Sequence, residues 1–186
     1  MPRVKLSPEI KIAITAMSAK EKDKLLLRLV AKDDKLVEQL EFKLIEAEAT
    51  REERRDRVSE LIEGNLLDFQ QRRFYPGVLT RTLRKTSARI TRHVQVTKDK
   101  YGEIQLNLEL VNRCLELFAK KLPTIPSRKV DSLYTYLVKK AMRIDTLLER
   151  LHEDYRLDFE DEIERLQREV PKHPLLHEKA IELGYL

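Results

Sequence analysis

The side chains with the most distinctive chemistry lie between Phe69 and Lys98. These 30 residues include eight Arg and Lys side chains and no Asp or Glu, although the whole chain has a net charge of only +5. If the middle of this stretch is a helix, five of the eight share one face, which we call the basic face. Its members are Arg81, Arg84, Lys85, Arg89 and Arg92. Guanidinium and ammonium groups bind carboxylate and phosphate oxygens, so the basic face predicts an anionic partner.

An acidic protein surface is one such partner, and the chain itself contains a segment of that kind. Residues 144–169 hold ten Asp and Glu side chains against four Arg, a net charge of −6. The basic face could pair with this segment within one molecule, or across a dimer interface where complementary charges set the register. The favoured prediction is therefore a non-enzymatic helical interaction or scaffold protein. Its partner would be an acidic or complementary protein or a second copy of the chain.

Nucleic acid is the alternative partner. Arg and Lys bind backbone phosphates, and the Thr and Ser hydroxyls interspersed among them would add neutral hydrogen bonds. Phe74 and Tyr75, directly upstream of the helix, are predicted to stack on bases. If residues 94–108 form a hairpin rather than helix, the basic helix and the hairpin together resemble a winged helix-turn-helix. That resemblance implies a nucleic-acid-binding protein.

A third interpretation concerns paired carboxylates. Glu38-x-x-Glu41 followed by Glu53-x-x-Asp56 resembles the magnesium signature of the all-α nucleoside-triphosphate pyrophosphatases. The resemblance implies a Mg²⁺-dependent nucleotide pyrophosphohydrolase, because Mg²⁺ binds hard carboxylate and phosphate oxygens. In the predicted helix over 35–49, however, Leu36, Leu40 and Leu44 set the apolar face, and Glu38 and Glu41 point away from it. This orientation places the hydrolase behind the other two interpretations.

Other sequence signatures of catalysis are missing. The chain has no Gly-x-Ser-x-Gly elbow, no Gly-rich phosphate loop and no His-Glu-x-x-His motif. The single cysteine, Cys114, cannot form an intrachain disulfide and is placed among apolar residues at helical spacing, where a packing role is expected. We therefore predict no catalytic residues, no metal and no cofactor.

The composition indicates an all-α protein. Of 186 residues, 37% are charged and 41% are apolar, and the four Gly and seven Pro can all be placed at element boundaries. Long stretches free of both residues and rich in Leu, Glu, Lys and Arg are typical of helices. We expect an irregular multi-helix bundle or a short α-α superhelix of about nine or ten helices. A single domain, 1–186, is predicted, with a subdivision into 1–122 and 127–186 if the Thr124–Ser127 linker separates two parts.

Capping signals and breaks divide the chain into predicted helices. Residues 8–63 are expected to form four helices, started by Ser7, Ser18, Asp33 and Thr50 and ended by Gly64. The later helices are predicted over 66–73, 78–97, 103–122, 129–151, 158–170 and from Pro174 to Leu183. The helix over 103–122 is expected to be central, because two groups of apolar residues cover about half of its circumference.

Two further expectations concern location. No apolar run approaches the roughly 18 residues of a membrane span, so no membrane association is predicted. The chain begins Met1-Pro2-Arg3-Val4-Lys5 and lacks the apolar region of a secretory signal. Together with the single cysteine, these features predict a cytoplasmic protein.

Overall fold

The computed structural model describes residues 5–186 and is all-α. Helices account for 81% of the chain, and no strand occurs among the described residues. The helices are α1 (Pro8–Ala16), α2 (Ala19–Val30), α3 (Asp34–Leu40), α4 (Arg51–Gln70), α5 (Pro76–Thr97), α6 (Lys100–Phe118), α7 (Ser127–Leu148), α8 (Glu153–Arg156), α9 (Glu160–Glu169) and α10 (Pro174–Glu182). The chain divides into two compact units, with the boundary between Ala47 and Glu48.

The first unit, described from Lys5 to Ala47, begins with well-capped helices. Ser18 accepts a hydrogen bond from the backbone of Glu21, whose side chain accepts one in return, which is the predicted capping box. Asp33 caps α3 through two backbone amides. None of the three helices contains a buried residue. The exposed large aliphatic side chains of residues 5–30 are Leu6, Ile10, Ile12, Ile14, Leu26, Leu27 and Leu29.

The apolar face predicted for 35–49 is wrong at its C-terminal end. Residues Glu41–Ile45 form a π-helical turn directly after α3. The regular α-helix therefore ends at Leu40, and a helical wheel drawn to residue 49 does not apply beyond it. Within the turn Leu44 is 69% exposed and Phe42 is buried.

The second unit, residues 48–186, is a bundle built around α6. This helix contacts α4, α5, α7 and α9, whereas in an α-α superhelix each element contacts mainly its neighbours in sequence. Both predicted apolar groups of α6 lie in the core. The residues at 1% exposure or less are Ile104, Leu106, Leu108, Leu110, Val111, Cys114, Leu115 and Phe118. The predicted central helix is therefore confirmed, although it starts and ends earlier than 103–122.

Polar contacts fix the helices that surround α6. Arg113 donates two hydrogen bonds to the Glu63 carboxylate of α4, at 2.7 and 2.6 Å. Asn112 donates to the backbone carbonyl of Glu162 in α9 at 2.9 Å. Because both residues lie on α6, these contacts set the register of α4 and α9 against the central helix.

The hairpin alternative for residues 94–108 is wrong. The segment is helical on both sides of a two-residue corner, where Lys98 adopts the left-handed conformation with φ of 59° and Asp99 caps α6. Period-2 alternation in the sequence arises here because the end of one amphipathic helix is followed closely by the start of another. Because the winged helix-turn-helix resemblance required this hairpin, it is wrong as well.

Two predicted boundaries and one predicted cap are also corrected. Gly64 does not end a helix, because α4 continues from Arg51 to Gln70 and absorbs the helix predicted over 66–73. Helix α4 starts directly after Thr50, as predicted, but Thr50 makes no side-chain capping hydrogen bond to it. Asp158 does not cap α9, whose first turn follows a 3₁₀ turn over Leu157–Phe159. The Thr124–Ser127 linker follows a 3₁₀ turn over Leu122–Thr124, within the second unit.

Replacement of Gly64 by alanine is expected to stabilise the protein by about 0.5–1 kcal/mol, the usual cost of a glycine inside a helix. A Cβ at this position meets no atom within 4 Å. Gly184, just after α10, is the matched control. Its φ of +73° is in the left-handed region, which is unfavourable for alanine, so an alanine there should cost about 1 kcal/mol. Urea denaturation measures both changes. A loss of stability in Gly64→Ala would mean that α4 ends at this glycine.

No helix within residues 5–186 combines the length and the apolar character needed to cross a bilayer.

Candidate functional site

Helix α5 carries the basic face on the side away from its core contacts. Leu79, Leu83 and Ile90 are at most 1% exposed and pack into the core of the second unit. The opposite side is exposed at Arg81, Arg84, Lys85 and Arg89, and Arg92 is half-buried. The amphipathic spacing of the helix produces this orientation, because the apolar residues can all be buried only if the basic ones face solvent.

The exposed members of the basic face have no ionic partner within the part of the chain that the structure describes. Arg81, Arg84, Lys85 and Arg89 form no ion pair with any residue of the described chain, 5–186. They therefore do not pair with the acidic residues of 144–169 inside one molecule. Four cations on one face of a 22-residue helix, with no acid in that helix, repel one another and attract anions.

Most hydroxyl groups of α5 are engaged within the protein. Tyr136 donates its proton to the carbonyl of Leu83 at 3.2 Å, so Ser87 donates to the Tyr136 oxygen at 2.6 Å. The hydroxyls of Thr86 and Thr91 donate to backbone carbonyls one turn earlier in the same helix. The hydroxyls of Ser87, Thr86 and Thr91 thus already donate within the protein, and the basic face presents mainly charge.

The two aromatic residues predicted to stack on bases differ in their surroundings. Phe74 packs edge-on against Phe69, at 5.8 Å between ring centroids, and its ring is tilted against that of Phe118 at 5.3 Å. Its ring is held in the margin of the core and is not free to stack on a base. Tyr75 is 49% exposed, and the Arg73 guanidinium lies 5.4 Å from its ring centroid. Only Tyr75 therefore presents an exposed ring beside the basic residues.

A separate cleft of about 670 Å³ lies beside the corner between α5 and α6. Its lining includes Glu52, Arg55, Asp99, Tyr101, Tyr155 and Asp158. The Arg55 guanidinium lies 5.4 Å from the centroid of the Tyr101 ring and 3.9 Å from the Asp99 carboxylate. Burial and the nearby Asp158 raise the pKa of Tyr101. The sequence interpretation missed this cleft, because its lining residues are distant in sequence.

Asp99 lines the cleft, and its buried carboxylate is held in place by hydrogen bonds. Its carboxylate accepts hydrogen bonds from the Gly102 amide at 2.8 Å and from His93 Nε2 at 3.2 Å. Burial raises the pKa of Asp99, but these hydrogen bonds and the Arg55 charge outweigh burial and leave the pKa below its usual value. The carboxylate is therefore ionised and fully engaged in fixing the corner, which suits a structural role better than catalysis.

The paired carboxylates are not brought together as a metal site. No group of three or more His, Cys, Asp or Glu side chains is placed to hold a metal ion anywhere in residues 5–186. Glu53 pairs with Arg57 at 3.7 Å on the exposed side of α4. Cys114 is fully buried in α6, and burial raises the pKa of its thiol to about 12. It is thus a neutral packing residue.

Comparison with known proteins leaves the basic face as the leading candidate site. No family model matches the chain, and neither the curated proteins nor the solved structures give a significant match. The candidate site therefore rests on the geometry of α5 and on the absence of ionic partners for its four exposed cations within residues 5–186.

Proposed function

We propose that the protein is a non-enzymatic interaction protein whose basic face binds an acidic protein surface. The observation that carries the proposal is the exposure of Arg81, Arg84, Lys85 and Arg89 without an ion pair among the described residues. Guanidinium groups are well suited to carboxylates, because they form paired, directional hydrogen bonds with them. The rigid helix α5, packed on α4, α6 and α7, would hold these groups in one orientation.

Two features favour an acidic protein over nucleic acid. The hydroxyls of Ser87 and Thr91 and the ring of Phe74 are engaged within the protein. These groups are therefore less able to donate hydrogen bonds to a nucleic-acid backbone or to stack on a base. The aliphatic side chains exposed on α1 and α2 are a further feature that is typical of surfaces contacting other proteins. Apolar side chains of this kind gain little from a phosphate backbone.

Fluorescence anisotropy with labelled poly-L-glutamate tests the proposal. The protein should bind the polymer, and binding should weaken between about 50 mM and 200 mM salt because the contact is ionic. Replacement of the four exposed cations, R81Q/R84Q/K85Q/R89Q, should weaken binding by about tenfold or more, since Gln keeps the helix and removes the charge. The control K120Q/R128Q/K129Q/K139Q removes the same charge outside the basic face and should change binding little.

The same measurement with a DNA duplex and a single strand distinguishes the alternative. Binding of either nucleic acid that is tighter than binding of poly-L-glutamate at the same salt would contradict an acidic protein partner. Equal losses in the basic-face variant and in its control would show that net charge, and not this surface, attracts the polymer.

A further inference from the structure

A second charged surface, of opposite sign to the basic face, lies in residues 153–164. Residues 153–164 contain seven acids and one base, Arg156. We call the acidic surface the five of these acids that lie exposed on α8 or α9 and form no ion pair within the described residues: Glu153, Glu160, Asp161, Glu162 and Glu164. They lie on α8 and in the first two turns of α9.

The base within this segment does not neutralise the acidic surface. The Arg156 guanidinium donates to the backbone carbonyls of Leu151 at 3.1 Å and Glu149 at 2.8 Å. Arg156 therefore donates to backbone carbonyls just after the end of α7 and not to a carboxylate. The acidic surface keeps its charge, as the basic face does.

The two surfaces are thus chemical complements, and neither the four exposed cations of the basic face nor the five acids form an ion pair within residues 5–186. Helices α5 and α9 both pack on α6, which holds the two surfaces rigidly in the same unit. When two rigid helices of opposite charge pair between molecules, no flexible segment has to become ordered, so the entropy cost of association is lower. Complementary potentials of this kind accelerate encounter and fix the register of an interface.

We propose that the acidic protein bound by the basic face is a second copy of this chain, through the acidic surface on α8 and α9. This inference rests on the proposed function and names its partner. A two-fold dimer pairs both surfaces at once, because the contact between one copy's basic face and the other copy's acidic surface then occurs twice, once on each side of the symmetry axis. The association is ionic, so it weakens as the Debye length shrinks with added salt.

Charge exchange between the two surfaces tests the pairing by sedimentation velocity. The wild type should form dimers at about 100 μM protein and 50 mM salt, conditions that populate weak interfaces, and should dissociate at about 500 mM salt. The variants R81E/R84E/R89E and E160K/D161K/E164K should each weaken the dimer by about 100-fold or more, because like charges then face each other. An equimolar mixture of the two variants should associate again, since opposite charges are restored in both contacts.

A matched control and a fold check accompany these variants. The variant K120E/R128E/K129E changes the net charge as much as R81E/R84E/R89E does, but outside both surfaces, and should dimerise like the wild type. Circular dichroism should show unchanged helix content in all four proteins. A wild type that stays monomeric, a mixture that stays monomeric or a control that loses association would each overturn the inference. Binding of poly-L-glutamate by a monomeric wild type would leave the proposed function standing.

Discussion

Leu115→Ala is expected to lower the free energy of unfolding by about 2–5 kcal/mol, the range for truncation of a fully buried leucine. Leu115 is 0% exposed and lies on the central helix. It borders a small apolar void of about 10 Å³ together with side chains from α7, α9 and α10. Removal of three carbon atoms would enlarge this void where four helices meet, and rigid helices cannot all move inward to fill it.

Urea denaturation of Glu116→Ala provides the control for this prediction. Glu116 is the next residue on α6, its side chain is 58% exposed, and its carboxylate lies 3.1 Å from the Arg113 guanidinium. An exposed ion pair contributes little to stability, so this substitution should change the free energy of unfolding by less than about 0.5 kcal/mol. Similar losses in both variants would show that α6 is not the centre of the bundle.

The central helix could be predicted because its signal is local. Apolar residues on more than one side of a helix require neighbours on more than one side, and this holds wherever the neighbours come from. The register after α3 could not be predicted in the same way. The spacing of Leu36, Leu40 and Leu44 assumes a regular helix, whereas the α-helix is replaced after Leu40 by a π-helical turn over Glu41–Ile45 in which Phe42 is buried and Leu44 is exposed.

The candidate site was predictable in orientation but not in its partners. The spacing of Leu79, Leu83 and Ile90 alone predicts that the basic residues of α5 face solvent. The choice between internal pairing and an external partner depends on where α9 lies, and that is decided by packing on α6 through contacts such as Asn112 to Glu162. The contact of Phe74 with Phe118 spans 44 positions of sequence. The sequence alone therefore does not show that this ring is packed in the protein and is not free to stack on a base.

Gly102→Ala is expected to lower the free energy of unfolding by about 2–4 kcal/mol, as overpacking and loss of a helix cap together do. A Cβ at Gly102 would overlap Oδ2 of Asp99 and would lie 2.7 Å from its Cγ and 2.9 Å from Arg55 Cδ. The Asp99 carboxylate cannot retreat cheaply, because it is held by the Gly102 amide and by His93. Moving it would break the cap of α6 and leave buried polar groups without partners.

Gly77→Ala is the matched control, because Gly77 lies in the first turn of α5 and a Cβ there meets no atom within 4 Å. It should be neutral or slightly stabilising in the same urea titration. A Gly102→Ala protein as stable as the wild type would contradict the close contact between Gly102 and Asp99.

The pH dependence of the Gly102→Ala loss separates its electrostatic part from its steric part. Since the pKa of Asp99 is lowered in the folded protein, the ionised carboxylate stabilises the fold above its unfolded pKa of about 3.9. That contribution disappears as the pH falls through the lower, folded pKa. The difference in stability between wild type and variant should therefore be larger at neutral pH than in acid. A difference that stays constant from neutral pH down to the acid limit would mean that the variant keeps the Asp99 network and suffers from crowding alone.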